Sequence, residues 1–141
     1  MRTLMRRLNE IAFLHVCCAG AGPGASSQQA NRKADTSKYG TCILMDLIKR
    51  IPEYGGPSLL SHQGELNADM TMEYHAVTKP ILFNDTHSHN NAELLCFIGG
   101  NPLDITDLGA EIDMSLRPEH ETHVITKTSC VSTPANLPHC P

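Results

Sequence analysis

Short apolar runs separated by turn-forming residues dominate the second half of this chain of 141 residues. Residues 92–98 (AELLCFI) lie between an Asn-Asn pair and a Gly-Gly pair, and both pairs are typical of turns. The pattern continues in residues 109–116 and 122–133, and the latter segment is rich in the β-formers Thr, Val and Ile. Short strands that alternate with turns about every ten residues predict an all-β barrel or sandwich.

The first half of the chain shows a weaker pattern. Residues 58–62 and 70–75 are short and predict strands. Residues 42–51 (CILMDLIKRI) carry apolar side chains at the spacing of a helix, which Pro52 would end. We therefore expect one short helix there as an addition to the strands, although an early strand followed by a turn fits the same segment.

Residues 1–36 differ from the rest of the chain. Within residues 1–21, three arginines precede a short apolar stretch and then small residues, which is the order of regions in a secretory signal peptide. A mitochondrial transit peptide, a frayed N-terminal helix and a misplaced start codon fit the same residues. The stretch that follows is rich in Gly, Ala, Ser and Gln and predicts a linker. We predict a flexible N-terminal extension over residues 1–36 and one folded domain over residues 37–141.

The composition argues against several classes of protein. The net charge is -4, no long basic run is present and aromatic residues make up 4% of the chain, so we expect no nucleic acid partner. Every apolar run is far shorter than the roughly 18 residues of a membrane-spanning helix, so we expect no membrane partner. Six cysteines occur without a C-x-x-C pair, which favours free thiols in a reducing compartment. These features predict a cytoplasmic protein, or a secreted or mitochondrial one if residues 1–21 are a targeting segment.

The sequence HSHNNAE supplies the candidate chemistry. On a strand, His87 and His89 point to the same face, about 7 Å apart along the backbone, so two imidazole nitrogens can bind one ion. The Asn-Asn pair that follows can turn the chain and bring Glu93 back beside the two histidines. Leu95 and Phe97 would then share the inward face with Glu93 and form an apolar wall behind the ion.

A fourth ligand is predicted from the C-terminal segment. Pro134 begins a turn, Asn136 can adopt the left-handed conformation, and a strand–turn–strand there could deliver His139 to the same ion. Three imidazoles and one carboxylate suit Fe, Mn, Ni, Co or Zn. On an octahedral ion, these four ligands leave two positions for a small oxygen-bearing ligand.

These residues resemble the two motifs of the cupin superfamily of small β-barrels. The first motif is G-x5-H-x-H-x3-E-x6-G and the second is G-x5-P-x-G-x2-H-x3-N. The residues that stand at matching positions are His87, His89, Glu93, Gly100, Pro134 and His139. Residues 97–116 are also similar to a subgroup of small single-domain cupins. The resemblance implies a double-stranded β-helix, or jelly-roll barrel, over residues 37–141 that holds one divalent metal ion through three histidines and one glutamate.

The chain departs from the cupin motifs at several places. Ile81, Thr128 and Asn136 stand where the motifs have glycine, and Asn is the mildest such replacement in a turn. The sequence ends two residues after His139, whereas a cupin barrel has further strands after this histidine. We therefore expect either a truncated cupin or a barrel that N-terminal strands close instead.

The full ligand set, with two positions left open on the ion, predicts a metal-dependent enzyme of the dioxygenase, isomerase or decarboxylase type that acts on a small oxygen-rich molecule. The sequence leaves the catalytic residues unknown, and we expect no cofactor beyond one divalent metal ion. A non-catalytic cupin that binds a small ligand or a metal, and an inactive truncated cupin, are the alternatives. Cupins commonly associate edge to edge, so the resemblance also implies a homodimer.

Overall fold

A computed structural model of the chain describes residues 3–4, 11–18, 37–43, 45, 47–61, 69–83, 85–117, 119 and 121–140. These residues form eleven strands and, between the second and third of them, one turn of 3₁₀ helix. In chain order the strands are β1 (Thr3–Leu4), β2 (Ile11–Cys18), β3 (Ile48–Arg50), β4 (Gly55–Ser61), β5 (Met70–Val77), β6 (Leu82–Phe83), β7 (Glu93–Gly99), β8 (Asp107–Leu116), β9 (Glu121–Lys127), β10 (Ser129–Thr133) and β11 (His139–Cys140).

The strands form antiparallel sheets. The largest sheet has six strands in the order β10-β7-β2-β5-β4-β3, and a second sheet has three in the order β11-β8-β9. β1 and β6 form a short two-stranded pair. These sheets confirm the predicted all-β class. The strands pair antiparallel because such pairs can be joined by the short turns that the sequence contains. No closure of these sheets into a barrel is found among the described residues.

The N-terminal segment differs from the prediction. Ile11–Cys18 forms β2, which lies in the interior of the large sheet and pairs with β5 on one side and β7 on the other. This part of the predicted flexible extension is instead a strand, because β5 and β7 offer its backbone hydrogen-bonding groups a partner on each side. Apart from Thr3–Leu4, the remaining residues of 1–36 lie outside the described residues. Targeting by residues 1–21 stays a prediction.

The prediction of a short helix over residues 42–51 is wrong. A single 3₁₀ turn covers Gly40–Cys42, and Ile48–Arg50 forms β3, which pairs with β4 at the edge of the large sheet. The apolar positions of this segment do not form one buried face, because Leu47 is buried whereas Ile43 and Ile48 are both exposed. An isolated helix of this length gains too little from its own hydrogen bonds, so pairing with an existing strand is favoured.

The strands predicted in the second half are confirmed with one change. Residues 92–98 and 109–116 correspond to β7 and β8, whereas residues 122–133 form two strands, β9 and β10, instead of one. The break falls at Thr128, whose backbone N–H donates to the carbonyl of Thr106. Its hydroxyl accepts a hydrogen bond of 3.1 Å from the N–H of Gly99. These contacts redirect the chain from the small sheet to the large one.

The hydrophobic core lies between β5 and β7 of the large sheet and β8 of the small one. Alternate residues of β7 and β8 point into it, as the period of a half-buried strand requires. The buried members are Val77, Ile81, Leu95, Phe97, Leu108, Ala110, Ile112 and Met114. Each large apolar side chain buried here stabilises the fold by about 1.5–3 kcal/mol. Leu95 and Phe97 of this core share the buried face of β7 with Glu93, the first residue of the strand, where the candidate site begins.

Candidate metal centre

Glu93 begins β7 with its side chain on the buried face of the strand. The predicted alternation is confirmed, since Glu93, Leu95 and Phe97 are all buried while Leu94 is exposed. Glu93 is only 3% exposed. A buried carboxylate is costly unless charged or hydrogen-bonding groups surround it. The partners of this carboxylate therefore define the site.

Backbone pairing brings His139 beside His87. The N–H of each donates to the carbonyl of the other, at 2.9 Å from His139 and 3.1 Å from His87. On its other side, β11 pairs with β8 through His139 and Leu116. The backbone of His139 is thus held from both sides. His87 forms only this isolated bridge and His89 lies in no named strand, so the regular strand expected for the two histidines is reduced to a bridge.

The turn before β11 has the geometry that the sequence predicted. Asn136 adopts the left-handed conformation with φ 63°, and its N–H donates to the carbonyl of His89 at 2.7 Å. The N–H of Leu137 donates to the carbonyl of Pro134 at 3.1 Å, which closes the turn. The C-terminal turn is therefore joined directly to the segment that carries the paired histidines.

Four side chains meet at this point. The candidate ligand atoms of His87, His89, Glu93 and His139 all lie within 4.8 Å of one another. Nε2 of His139 is 2.7 Å from Oε2 of Glu93, and Nε2 of His89 is 3.5 Å from Oε1 of the same carboxylate. Donors that surround one ion at about 2.1 Å are separated by about 3.0–4.2 Å. The cluster has the donor types and nearly the spacing to bind a metal ion.

Two further groups hold the cluster in place. The hydroxyl of Thr133 donates to Oε2 of Glu93 at 2.9 Å, and the two residues are directly paired between β10 and β7. Nδ1 of His139 lies 2.9 Å from the carbonyl oxygen of Leu137. Because a carbonyl can only accept, Nδ1 carries the proton and Nε2 is left to face the cluster. No local pattern in the sequence identifies Thr133, since only strand register places it opposite Glu93.

The cluster opens to solvent on one side. Glu93 and His139 are buried, His89 is half-buried and His87 is exposed. The His87 ring packs against both other imidazoles, with ring centroids 5.0 Å from His89 and 4.6 Å from His139. The cluster is therefore exposed to solvent at His87, whereas Glu93 lies on the buried face of β7 together with Leu95 and Phe97.

Other histidines have different surroundings. His75 is 1% exposed, and its Nδ1 lies 2.8 Å from the hydroxyl of the fully buried Ser58. Its ring stacks on Tyr54 with centroids 4.0 Å apart. No solvent reaches Ser58, so this group is part of the packing. His123 is exposed and lies 3.3 Å from Glu121 on the surface of β9.

Comparison with known proteins adds no assignment: the chain matches no family model, no curated protein and no solved structure. In the described part of the chain, no helix is long and apolar enough to cross a bilayer. The fold and the site together define an antiparallel β protein with a three-histidine, one-glutamate cluster that could bind a metal ion.

Proposed function

We propose that this chain is a cupin-type protein that binds one divalent metal ion through His87, His89, Glu93 and His139. The convergence of the four donors within 4.8 Å carries the proposal. The two segments that supply them, around the HSHNNAE sequence and around the C-terminal turn, correspond to the two cupin motifs. A double-stranded β-helix is the architecture that goes with this ligand set, and the antiparallel sheets are compatible with it.

The donor set narrows the choice of ion. Three imidazoles and one carboxylate are borderline-hard ligands, which suit Fe, Mn, Co, Ni or Zn and disfavour ions that require thiolates or all-oxygen sites. When bound, such an ion supplies Lewis acidity toward a carbonyl or hydroxyl oxygen of a ligand. The exposed edge of the cluster at His87 is where a ligand would approach.

We further propose an enzyme that acts on a small oxygen-rich molecule, such as a hydroxy acid or an enolisable carbonyl compound, by dioxygenation, isomerisation or decarboxylation. The chain's own residues would bind and orient this molecule. Thr133 holds the Glu93 carboxylate in a fixed orientation, and the carbonyl of Leu137 fixes the tautomer of His139. Leu95 and Phe97 behind the carboxylate exclude water from the closed side.

One observation supports a second function. The contact of 2.7 Å between His139 and Glu93 has the length of a charge-assisted hydrogen bond. With a proton on Nε2, the pair would join β11 to β7 without any metal. The chain would then be a structural or ligand-binding β protein with a buried ion pair, and it would have no affinity for divalent ions.

Metal binding by the purified full-length chain separates these two functions. The chain is offered Mn, Fe(II), Co, Ni or Zn in turn, dialysed, and analysed for bound metal and for affinity by competition with a chelator. We expect about one ion per chain, with His87→Ala weakening affinity about 10-fold or more. His123→Ala, which changes an exposed histidine outside the cluster, is the matched control. Equal metal content in wild type and His87→Ala would rule the site out.

The substrate class is tested with the Co(II)-loaded chain. A small hydroxy acid or an enolisable keto acid that binds the ion changes its visible absorption spectrum, whereas an alkylammonium ion of similar size, which has no free electron pair to donate, does not. No spectral response to any oxygen-bearing ligand, at full metal occupancy, would contradict the enzymatic proposal and leave the metal site intact.

A further inference from the structure

Cys96 and Cys130 lie directly opposite each other on the outer part of the large sheet. Cys96 is in the middle of β7, Cys130 is its register partner on β10, and their Sγ atoms are 3.1 Å apart. Neither forms a disulfide. The pair plays no part in the candidate metal centre, and its two thiols are already within hydrogen-bond distance.

The backbone geometry matches that of a disulfide. Directly paired residues of an antiparallel ladder have Cα atoms about 4.5 or 5.5 Å apart, depending on the type of pair. Disulfides span Cα separations of about 4.4–6.8 Å. Both kinds of pair fall within this range, so Cys96 and Cys130 can be bridged by small side-chain rotations while β7 and β10 keep their register.

Solvent reaches the pair. Alternation along β7 directs Glu93, Leu95 and Phe97 into the core and Cys96 to the opposite face, where it is half-buried. Cys130 is exposed, and β10 is the edge strand of the sheet. A small oxidant can therefore contact Cys130 without any local unfolding.

We propose that Cys96 and Cys130 form a reversible cross-strand disulfide by exchange with a low-molecular-weight disulfide such as oxidised glutathione. The Cys130 thiolate attacks one sulfur of the oxidant, whose S–S bond breaks and releases one thiol. Cys96 then gives its proton to solvent, its thiolate attacks Sγ of Cys130, and the second thiol leaves. Two protein thiols are oxidised to one disulfide by two electrons, and the oxidant is reduced to two thiols.

The order of attack follows from the surroundings of the two thiols. Burial raises the pKa of Cys96 to about 11, and the hydrogen bond with Cys130 acts in the same direction. Cys96 therefore holds its proton at neutral pH, and the exposed Cys130 reacts first. The proximity of Cys96 then favours closure of the bridge over a lasting mixed disulfide.

The bridge would act on the strand pair that supports the carboxylate of the cluster. The same ladder that pairs Cys96 with Cys130 pairs Glu93 with Thr133 at its other end. Among the described strands, β10 pairs with β7 alone, so a covalent link to β7 limits its detachment from the sheet. Oxidation would thereby keep the Thr133 hydroxyl on Glu93.

The test uses the full-length chain treated with oxidised glutathione, alkylated and digested with trypsin. Residues 51–127 then form a peptide whose only cysteine is Cys96, and residues 128–141 contain Cys130 and Cys140. We expect these two peptides to appear linked, with a mass two hydrogens below their sum, and dithiothreitol to separate them. Cys140→Ser should retain the link and Cys130→Ser should abolish it.

A comparison in urea checks that the folded strands are responsible. Unfolding removes the alignment of the two thiols, so we expect the link to form at least about tenfold faster in the native chain than in the urea-unfolded chain. Glutathione adducts without a link, a link that survives Cys130→Ser, or equal rates in both conditions would overturn the proposal. Metal content plays no part in these readouts, so their result is independent of the proposed function.

Discussion

Nε2 of His139 lies 2.7 Å from Oε2 of Glu93, and this contact joins two segments that are distant in the chain. Glu93 begins β7 in the six-stranded sheet, whereas His139 begins β11 in the three-stranded sheet. Both side chains are almost fully buried, so water cannot readily replace either partner. The candidate metal centre is therefore also a contact that stabilises the packing of the two sheets.

Removing the imidazole should destabilise the metal-free chain. We expect His139→Ala to lower the free energy of unfolding by about 3 kcal/mol, because Glu93 would remain buried after losing a partner. Urea unfolding followed by circular dichroism measures the change. His123→Ala, at an exposed surface pair, should change stability by less than about 0.5 kcal/mol. If the two variants unfold alike, the buried contact contributes nothing to the fold.

The Thr133 hydroxyl should tune metal affinity through Glu93. Thr133→Val keeps the shape of the side chain and removes the donor to Oε2, so we expect the dissociation constant for the bound ion to rise about 10-fold. Thr133→Ser keeps the hydroxyl and should bind within about threefold of wild type. Chelator competition on both variants provides the comparison. Equal loss in both would mean that packing, and not the hydrogen bond, is responsible.

Because Asn136 has a left-handed backbone conformation, its replacement by alanine should destabilise the fold more than its replacement by glycine. The left-handed φ of 63° costs a residue with a Cβ about 1–2 kcal/mol, and Asn avoids part of that cost. We expect Asn136→Ala to lower the free energy of unfolding by about 1 kcal/mol and Asn136→Gly to leave it nearly unchanged. Denaturant titration of the two variants would show this difference, and a more stable alanine variant would contradict it.

The rate at which the Cys96 thiol is alkylated should increase with pH. Burial raises the pKa of Cys96 to about 11, so the thiolate fraction is small near neutrality and grows as the pH approaches that value. We expect alkylation of Cys96 at about pH 8 to be slower than that of the exposed Cys42, and to accelerate as the pH rises. Timed alkylation with peptide mass spectrometry measures both rates. Faster alkylation of Cys96 at that pH would be inconsistent with the raised pKa.

Much of the second half of the chain could be predicted from local pattern. The alternation from Glu93 to Phe97 placed the carboxylate and the apolar wall on one face, because strand period alone determines which side chains share a face. The left-handed residue at Asn136 was equally local, since asparagine tolerates that conformation. These features depend on a few neighbouring residues, and so the sequence is sufficient for them.

The predictions of secondary structure are wrong where strand partners distant in the sequence determine the conformation. Residues 42–51 have helical spacing, but a strand partner in β4 was available, and pairing replaced the helix. Ile11–Cys18 falls within the predicted flexible extension, yet it pairs with two strands far along the chain in the interior of a sheet. A short apolar run has no property that reveals whether such partners exist.

The sequence by itself determined the donor types, their spacing within each segment and the turn chemistry that lets the chain reverse, because these are properties of residues a few positions apart. Only the tertiary structure decided that His139 pairs with His87, that Thr133 supports Glu93, and that Cys96 meets Cys130. Those contacts depend on strand register and sheet order. Both are set by which apolar faces bury each other across the whole fold, and no local pattern encodes that choice.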